Sequence, residues 1–150
     1  MYIISSCLLG KKCRYNGTDC SNDQVEKFIH KNQVIEACPE LLGGLSTPRN
    51  PAEIVGGSGN DVINGTAKVV DNNGNDVTTH FIKGAYETLK LAKEHGVNKV
   101  ILKENSPSCG CHFIYDGSFS SKKKKGLGVT AALLSMNGIE VVSENTLKET

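Results

Sequence analysis

What the sequence lacks narrows its possible functions before any motif is read. Seventeen lysines and arginines stand against 16 aspartates and glutamates, a formal net charge of +1. The chain therefore has no basic excess with which to hold nucleic-acid phosphates, and nucleic acid is not expected as a partner. Long apolar runs are missing too: none approaches the roughly 18 residues that would span a bilayer. Met1-Tyr2-Ile3-Ile4 runs straight into an apolar stretch, with no basic n-region or cleavage site. A cytoplasmic location without a membrane partner is the expectation. Closely paired metal ligands are absent as well. No C-x-x-C occurs, the four histidines are scattered, and no G-x-x-x-x-G-K-S/T phosphate loop follows the first apolar run.

What is present fits one domain over residues 1–150. A chain of that length, 38% hydrophobic, can bury roughly 70% of its extended surface without staples. Its six cysteines would then sit in a reducing compartment where stable disulfides are rare, so metal or redox chemistry is the better first reading.

Hydrophobic periodicity predicts alternating strands and helices. Residues 2–6 read as a buried strand. Residues 7–20 read as a turn-rich loop containing Cys13 and Cys20. A helix follows from Asn22 or Asp23, with Glu26 placed for a capping box and Val25, Phe28 and Ile29 facing inward. A strand at 33–37 completes a right-handed βαβ unit. Residues 39–51 hold enough glycine and proline to predict an irregular loop. The alternation from Asp61 to Val70, ending at Asp71-Asn72-Asn73-Gly74, predicts a small β-hairpin outside the main sheet. Residues 77–95 form the clearest helix, with Phe81, Ile82, Ala85, Leu89 and Ala92 on one face and Gly96 as its C-cap. A strand at 98–103, a short hairpin or turn at 113–119 and an exposed basic loop, Lys122 to Lys125, come next. A helix at 127–137, burying Val129, Ala132, Leu133 and Met136, and a last strand at 139–142 complete the chain. The expected fold is α/β and Rossmann-like: a mostly parallel sheet of about four strands, helices on its faces and a small β-hairpin insertion.

Ligands of such sheets bind in the crevice at the carboxyl ends of the strands. Ile3-Ile4-Ser5-Ser6-Cys7 and Val34-Ile35-Glu36-Ala37-Cys38 each deliver a cysteine there. Leu102 leads through Glu104-Asn105-Ser106-Pro107-Ser108 to a third, Cys109. Pro107 ends the preceding strand, and Gly110 lets the backbone pass close to whatever the Cys109 sulfur holds. Three convergent thiols admit a catalytic zinc, an incomplete structural zinc site, a redox centre or an iron–sulfur cluster. A cubane on three cysteines leaves one iron open as a Lewis acid for a sulfur-bearing substrate. Glu40, two residues beyond Cys38, and Ser106, three before Cys109, are the nearest candidates for moving protons.

Six strings carry a family resemblance: Ser6-Cys7-Leu8-Leu9-Gly10, Cys13-Arg14-Tyr15-Asn16-Gly17, Cys38-Pro39-Glu40-Leu41-Leu42-Gly43-Gly44-Leu45, Thr47-Pro48-Arg49-Asn50-Pro51-Ala52-Glu53, Leu102 through Gly110, and Ile114-Tyr115-Asp116-Gly117-Ser118-Phe119. In number and order they resemble the thiouracil desulfidase (desulfurase) family, from residue 3 to about residue 144. The resemblance implies a [4Fe–4S] enzyme with Cys7, Cys38 and Cys109 as the cluster ligands and one iron not ligated by protein. It also implies non-redox removal of sulfur from a thiolated pyrimidine such as 2-thiouracil, giving uracil and sulfide, and it points again to Glu40 and Ser106 as catalytic residues.

Blander readings stand beside these. Any single cysteine can be a small core residue, and Cys13, Cys20 and Cys111 are expected to be non-ligands, Cys111 being the nearest to the cluster. Glu40 and Ser106 can serve turns, while Arg14, Tyr15 and Arg49 occupy loops that could line the crevice. The competing functions are cluster-dependent sulfur transfer, as in tRNA thiolation, and a zinc- or cluster-binding module without enzymatic activity. A small thiolated base is the expected partner, and the expected assembly is a monomer or weak homodimer.

Overall fold

A computed structural model describes residues 1–9, 23–46 and 49–144, without the side chains of Cys7, Leu9, Asp23 and Gln24. Cys13, Arg14, Tyr15, Cys20, Thr47 and Pro48 lie outside the described residues, as do most of the expected 7–20 loop and the Asp23 side of the expected capping box.

The first strand, β1 (Tyr2–Ser5), sets the architecture because Ile3 and Ile4 are both fully buried. Successive strand residues point to opposite faces, so this strand needs cover on both. It pairs in parallel with β2 (Val34–Ala37) and, on its other side, with β5 (Lys99–Leu102). β5 pairs in parallel with β8 (Glu140–Ser143), giving a four-stranded sheet of order β2-β1-β5-β8. On one face Ile4 and Ile101 pack with Leu8 and with Val25, Phe28 and Ile29 of helix α1 (Asp23–Lys31). On the other, Ile3, Val100 and Leu102 meet α4 (Thr78–Glu94) through Phe81, Ala85 and Leu89, and α5 (Val129–Met136) through Val129, Leu133 and Leu134. The α/β fold, the parallel sheet and the helix-covered faces agree with the sequence pattern. Gly96 also stands where expected, at φ 64° just past α4.

Two small antiparallel sheets stand outside the main one: β3 (Ala52–Val55) with β4 (Lys68–Asp71), and β6 (Phe113–Tyr115) with β7 (Lys123–Lys125). Here the structure corrects several expectations. The insertion hairpin is real, but its first strand is 52–55, and residues 59–63 form a short helix, α3 (Gly59–Ile63). Ser58 and Asp61 build a capping box there, with the Ser58 N–H donating to Asp61 at 2.8 Å, and this local chemistry overrides the apolar alternation. Residues 39–42 are one turn of helix, α2 (Pro39–Leu42), because Cys38 is an extended N-cap and Pro39 needs no N–H partner at the first helical position. The lysine run is strand β7 rather than a loop, with Lys124 donating to the Gly57 carbonyl at 2.8 Å. Met136 is 47% exposed, as the last residue of α5 rather than on its buried face.

Candidate functional site

All four parallel strands end on one edge of the sheet, and a cavity of about 800 Å³ opens there. Its walls include Ser6 after β1, Cys38 and Glu40 after β2, and Ser106 and Cys109 after β5. The backbone of Cys7 continues from Ser6 in a single 3-10 turn, Ser6–Leu9, which places it at the same edge. The structure thus brings Cys38, Glu40, Ser106 and Cys109 to one cavity. The side chain of Cys7 lies outside the described residues.

Each of these positions is fixed by identifiable packing. Helix α2, which carries Cys38 at its cap and Glu40 in its only turn, crosses α4 at two glycines. A Cβ on Gly43 would stand 2.0 Å from the His80 carbonyl oxygen, and one on Gly84 would stand 2.0 Å from that of Pro39. The His80 ring closes the contact, its Nδ1 lying 2.9 Å from the Gly43 carbonyl. The Cys109 loop docks on the start of α5: the N–H groups of Gly128, Val129 and Thr130 donate to the carbonyls of Gly110, Pro107 and Ser108, each at 2.8 Å. Helix-end donors that would otherwise lack partners are used to hold this loop.

Within the loop, Glu104 acts as a hub. Its Oε1 accepts from the N–H groups of Cys111 at 2.8 Å, His112 at 2.9 Å and Phe113 at 3.1 Å, and its Oε2 lies 2.9 Å from His112 Nδ1. Burial alone would raise the Glu104 pKa, but these N–H groups and the His112 ring outweigh it and hold the carboxyl below its ordinary value. Ser106 Oγ accepts from the N–H groups of Ser108 at 3.1 Å and Cys109 at 3.2 Å, so the hydroxyl both shapes the turn and lines the cavity. Gly110 is required by the packing of the loop itself. A Cβ there would meet the protein's own Phe113 carbonyl at 2.5 Å.

Elsewhere along the cavity Arg49 Nη2 donates to Glu40 Oε2 at 2.8 Å, with both side chains largely buried. Burial, followed by the charges of Glu40 and Cys38, pushes the Cys109 thiol well above the ordinary cysteine range. Cys111 is also buried and pushed up, by burial and then by Glu104 and Glu144, but it does not line the cavity. Among the described residues no three His, Cys, Asp or Glu side chains form a complete ion site. The donor set nevertheless suits a metal cluster. Thiolates are the soft ligands that iron–sulfur clusters take, and metal cations would offset the mutual repulsion of Cys38, Cys109 and Glu40.

With this geometry in place, sequence comparison is decisive: the model of the 2-thiouracil desulfurase family matches residues 2–146. The chain belongs to that family. This desulfurase-family protein is 56% identical over 149 residues to YbbK, an uncharacterized protein of Bacillus subtilis (strain 168), with 99% of each chain covered. The solved structure of the [4Fe–4S]-dependent thiouracil desulfidase TudS superposes on it with a TM-score of 0.85 at 39% identity, covering 99% of this chain and 93% of that one.

Sequence reading placed Glu40 and Ser106 at the crevice, and both line the cavity, but it gave little of how their surroundings are bonded. Arg49 was legible as a loop residue that could line the crevice, and it does line the cavity; its ion pair with Glu40 was not legible. Glu104 was hidden within a motif string, although an acidic residue between an apolar strand and a Ser-Pro turn is a signal that could have marked it. Glu53, Tyr115 and Phe119 also line the cavity, from the two small hairpins whose pairing no local pattern specifies.

Proposed function

We propose that this desulfurase-family protein removes sulfur from a thiolated pyrimidine such as 2-thiouracil, giving uracil and sulfide without net redox change, at a [4Fe–4S] cluster held by Cys7, Cys38 and Cys109. The observation that carries the reading is the convergence of Cys38, Glu40, Ser106 and Cys109 on one cavity, in a chain 39% identical to a [4Fe–4S]-dependent thiouracil desulfidase. When bound, such a cluster supplies a Lewis-acidic iron for the substrate sulfur, because one iron has no protein ligand.

The chain's own residues manage water and protons. In the net reaction a water oxygen replaces sulfur on the ring carbon, and both water protons leave with the sulfide. Glu40 is the base for that water. Arg49 engages its Oε2 at 2.8 Å, which orients the carboxylate and leaves Oε1 to take the proton and return it to the departing sulfur. Ser106 accepts two backbone N–H bonds at Oγ and keeps its own O–H to donate to the ring of the substrate. Glu40 thus moves the proton while Ser106 orients the acceptor.

The test is anaerobic reconstitution with iron and sulfide, followed by sulfide release from 2-thiouracil by the wild type and by the Cys7→Ala, Cys38→Ala and Cys109→Ala variants. Brown protein that releases sulfide, with all three variants inactive, is the expected result. Full activity in a colourless, iron-free preparation would overturn the reading.

A further inference from the structure

One stretch of the cavity wall is not accounted for by the cysteines, Glu40 or Ser106. It is the tip of the β6–β7 hairpin, which brings Tyr115 and Phe119 to the cavity. Phe119 is 40% exposed, an apolar ring left beside an open cavity rather than folded into the core. Its backbone is held there against preference, at φ 57° in the left-handed region. A bulky residue stays in that region only where its surroundings over-determine it.

The surroundings that do so come from the other small hairpin. Glu53 of β3 reaches across and its Oε1 accepts from the Gly117 N–H at 2.9 Å and the Phe119 N–H at 3.3 Å. At the first of these donors the tip presses against β3: Gly117 has φ 92°, and a Cβ there would lie 2.7 Å from the Ile54 carbonyl oxygen. The carboxylate and the close backbone contact together set where the phenyl ring stands.

We infer that Phe119, with Tyr115 of the same hairpin, is the wall against which the flat ring of a thiolated heteroaromatic base lies, and that Glu53 is the positioning residue that holds this wall. The inference rests on the desulfidation reading for the identity of the ligand. It makes the hairpin tip the element of the site that selects planar heteroaromatic rings, through their π face.

The experiment uses reconstituted protein and two probes, 2-thiouracil for turnover and uracil for binding of the ring without sulfur. Phe119→Ala and Glu53→Ala are expected to raise KM for 2-thiouracil and Kd for uracil about tenfold, the scale of one lost base–aromatic stack. In both variants kcat stays within about threefold, because the reacting groups are untouched. Phe119→Tyr and Glu53→Gln restore both constants to within about threefold, since a ring and a carbonyl acceptor remain. Amide hydrogen exchange at Gly117 and Phe119 accelerates in Glu53→Ala, while exchange in the four-stranded sheet does not. Unchanged KM and Kd in both alanine variants would overturn the inference, as would an equal loss of kcat and kcat/KM. If the wild type released no sulfide but still bound uracil through Phe119, the desulfidation reading would fail and the aromatic wall would stand.

Discussion

At the scale of the residue, the site is a set of carboxylates whose partners assign them different work. Glu40 has one strong partner, Arg49 at 2.8 Å, and a place on the cavity wall. Glu40→Gln keeps the shape and removes the proposed base, so turnover is expected to fall at least ~100-fold while the cluster absorption spectrum is unchanged; rapid turnover by this variant would remove Glu40 from the mechanism. Glu104 also borders the cavity, but its partners are mostly backbone groups. It is 6% exposed and collects backbone N–H groups that would otherwise lack acceptors. Glu104→Ala strands those donors and should cost more than ~3 kcal/mol in chemical denaturation. Its pH dependence has a definite sign. The folded-state pKa lies below the ordinary glutamate value of 4.5, so the stabilisation is complete above that value and is lost as pH falls through the folded pKa. Among the described residues, His112, Glu144, Lys103 and the Cys111 thiol are the charged or titratable side chains around this segment. An acid titration of denaturant midpoints should therefore be steeper below pH 4.5 in the wild type than in Glu104→Gln.

At the scale of the element, α2 is where local structure becomes function. This single turn places Cys38 and Glu40, and two glycines let it lie against α4. Gly84→Ala would ordinarily gain about 1 kcal/mol inside a helix, yet here the new Cβ would stand 2.0 Å from the Pro39 carbonyl. We expect a net loss of about 1–3 kcal/mol in urea unfolding together with lower cluster uptake. Lys90→Ala, on the exposed side of the same helix, should stay within about 0.5 kcal/mol. The same contrast explains what the sequence could tell. Strands such as 2–5 and 99–102 were legible because their branched apolar residues require burial on both faces, and α4 because its stripe repeats at helical spacing. Cys38, Glu40, Ser106 and Cys109 followed from them by the rule that parallel strands present their carboxyl ends together. The pairing of Ala52–Val55 with Lys68–Asp71, the strand role of Lys123–Lys125 and the reach of Glu53 to Gly117 are long-range choices. They are fixed by three-dimensional complementarity, and no single segment encodes them.

At the scale of the whole molecule, the question is whether the cluster builds the fold or the fold builds the cluster site. In small zinc modules the metal supplies the folding energy and the apo chain is unfolded. Here both faces of the sheet are closed by apolar side chains, Ile4, Ile101 and Val25 on one and Ile3, Val100, Phe81 and Leu133 on the other. Those contacts need no metal. The cluster-free protein is therefore expected to keep its far-UV circular dichroism and a cooperative melt. Loading then adds stability by mass action, because the three proposed ligands belong to segments distant in sequence that only the folded sheet brings together. At a free concentration one hundred times Kd this amounts to about 2.7 kcal/mol, or at least about 5 °C in Tm for a chain of this size. Cys38→Ala should abolish that increment while leaving the melt of the cluster-free protein nearly in place, since Cys38 lies at the rim of the smaller core. An unfolded apo protein would mean that the two apolar faces are insufficient and that the carboxyl edge of the sheet is held by the metal itself.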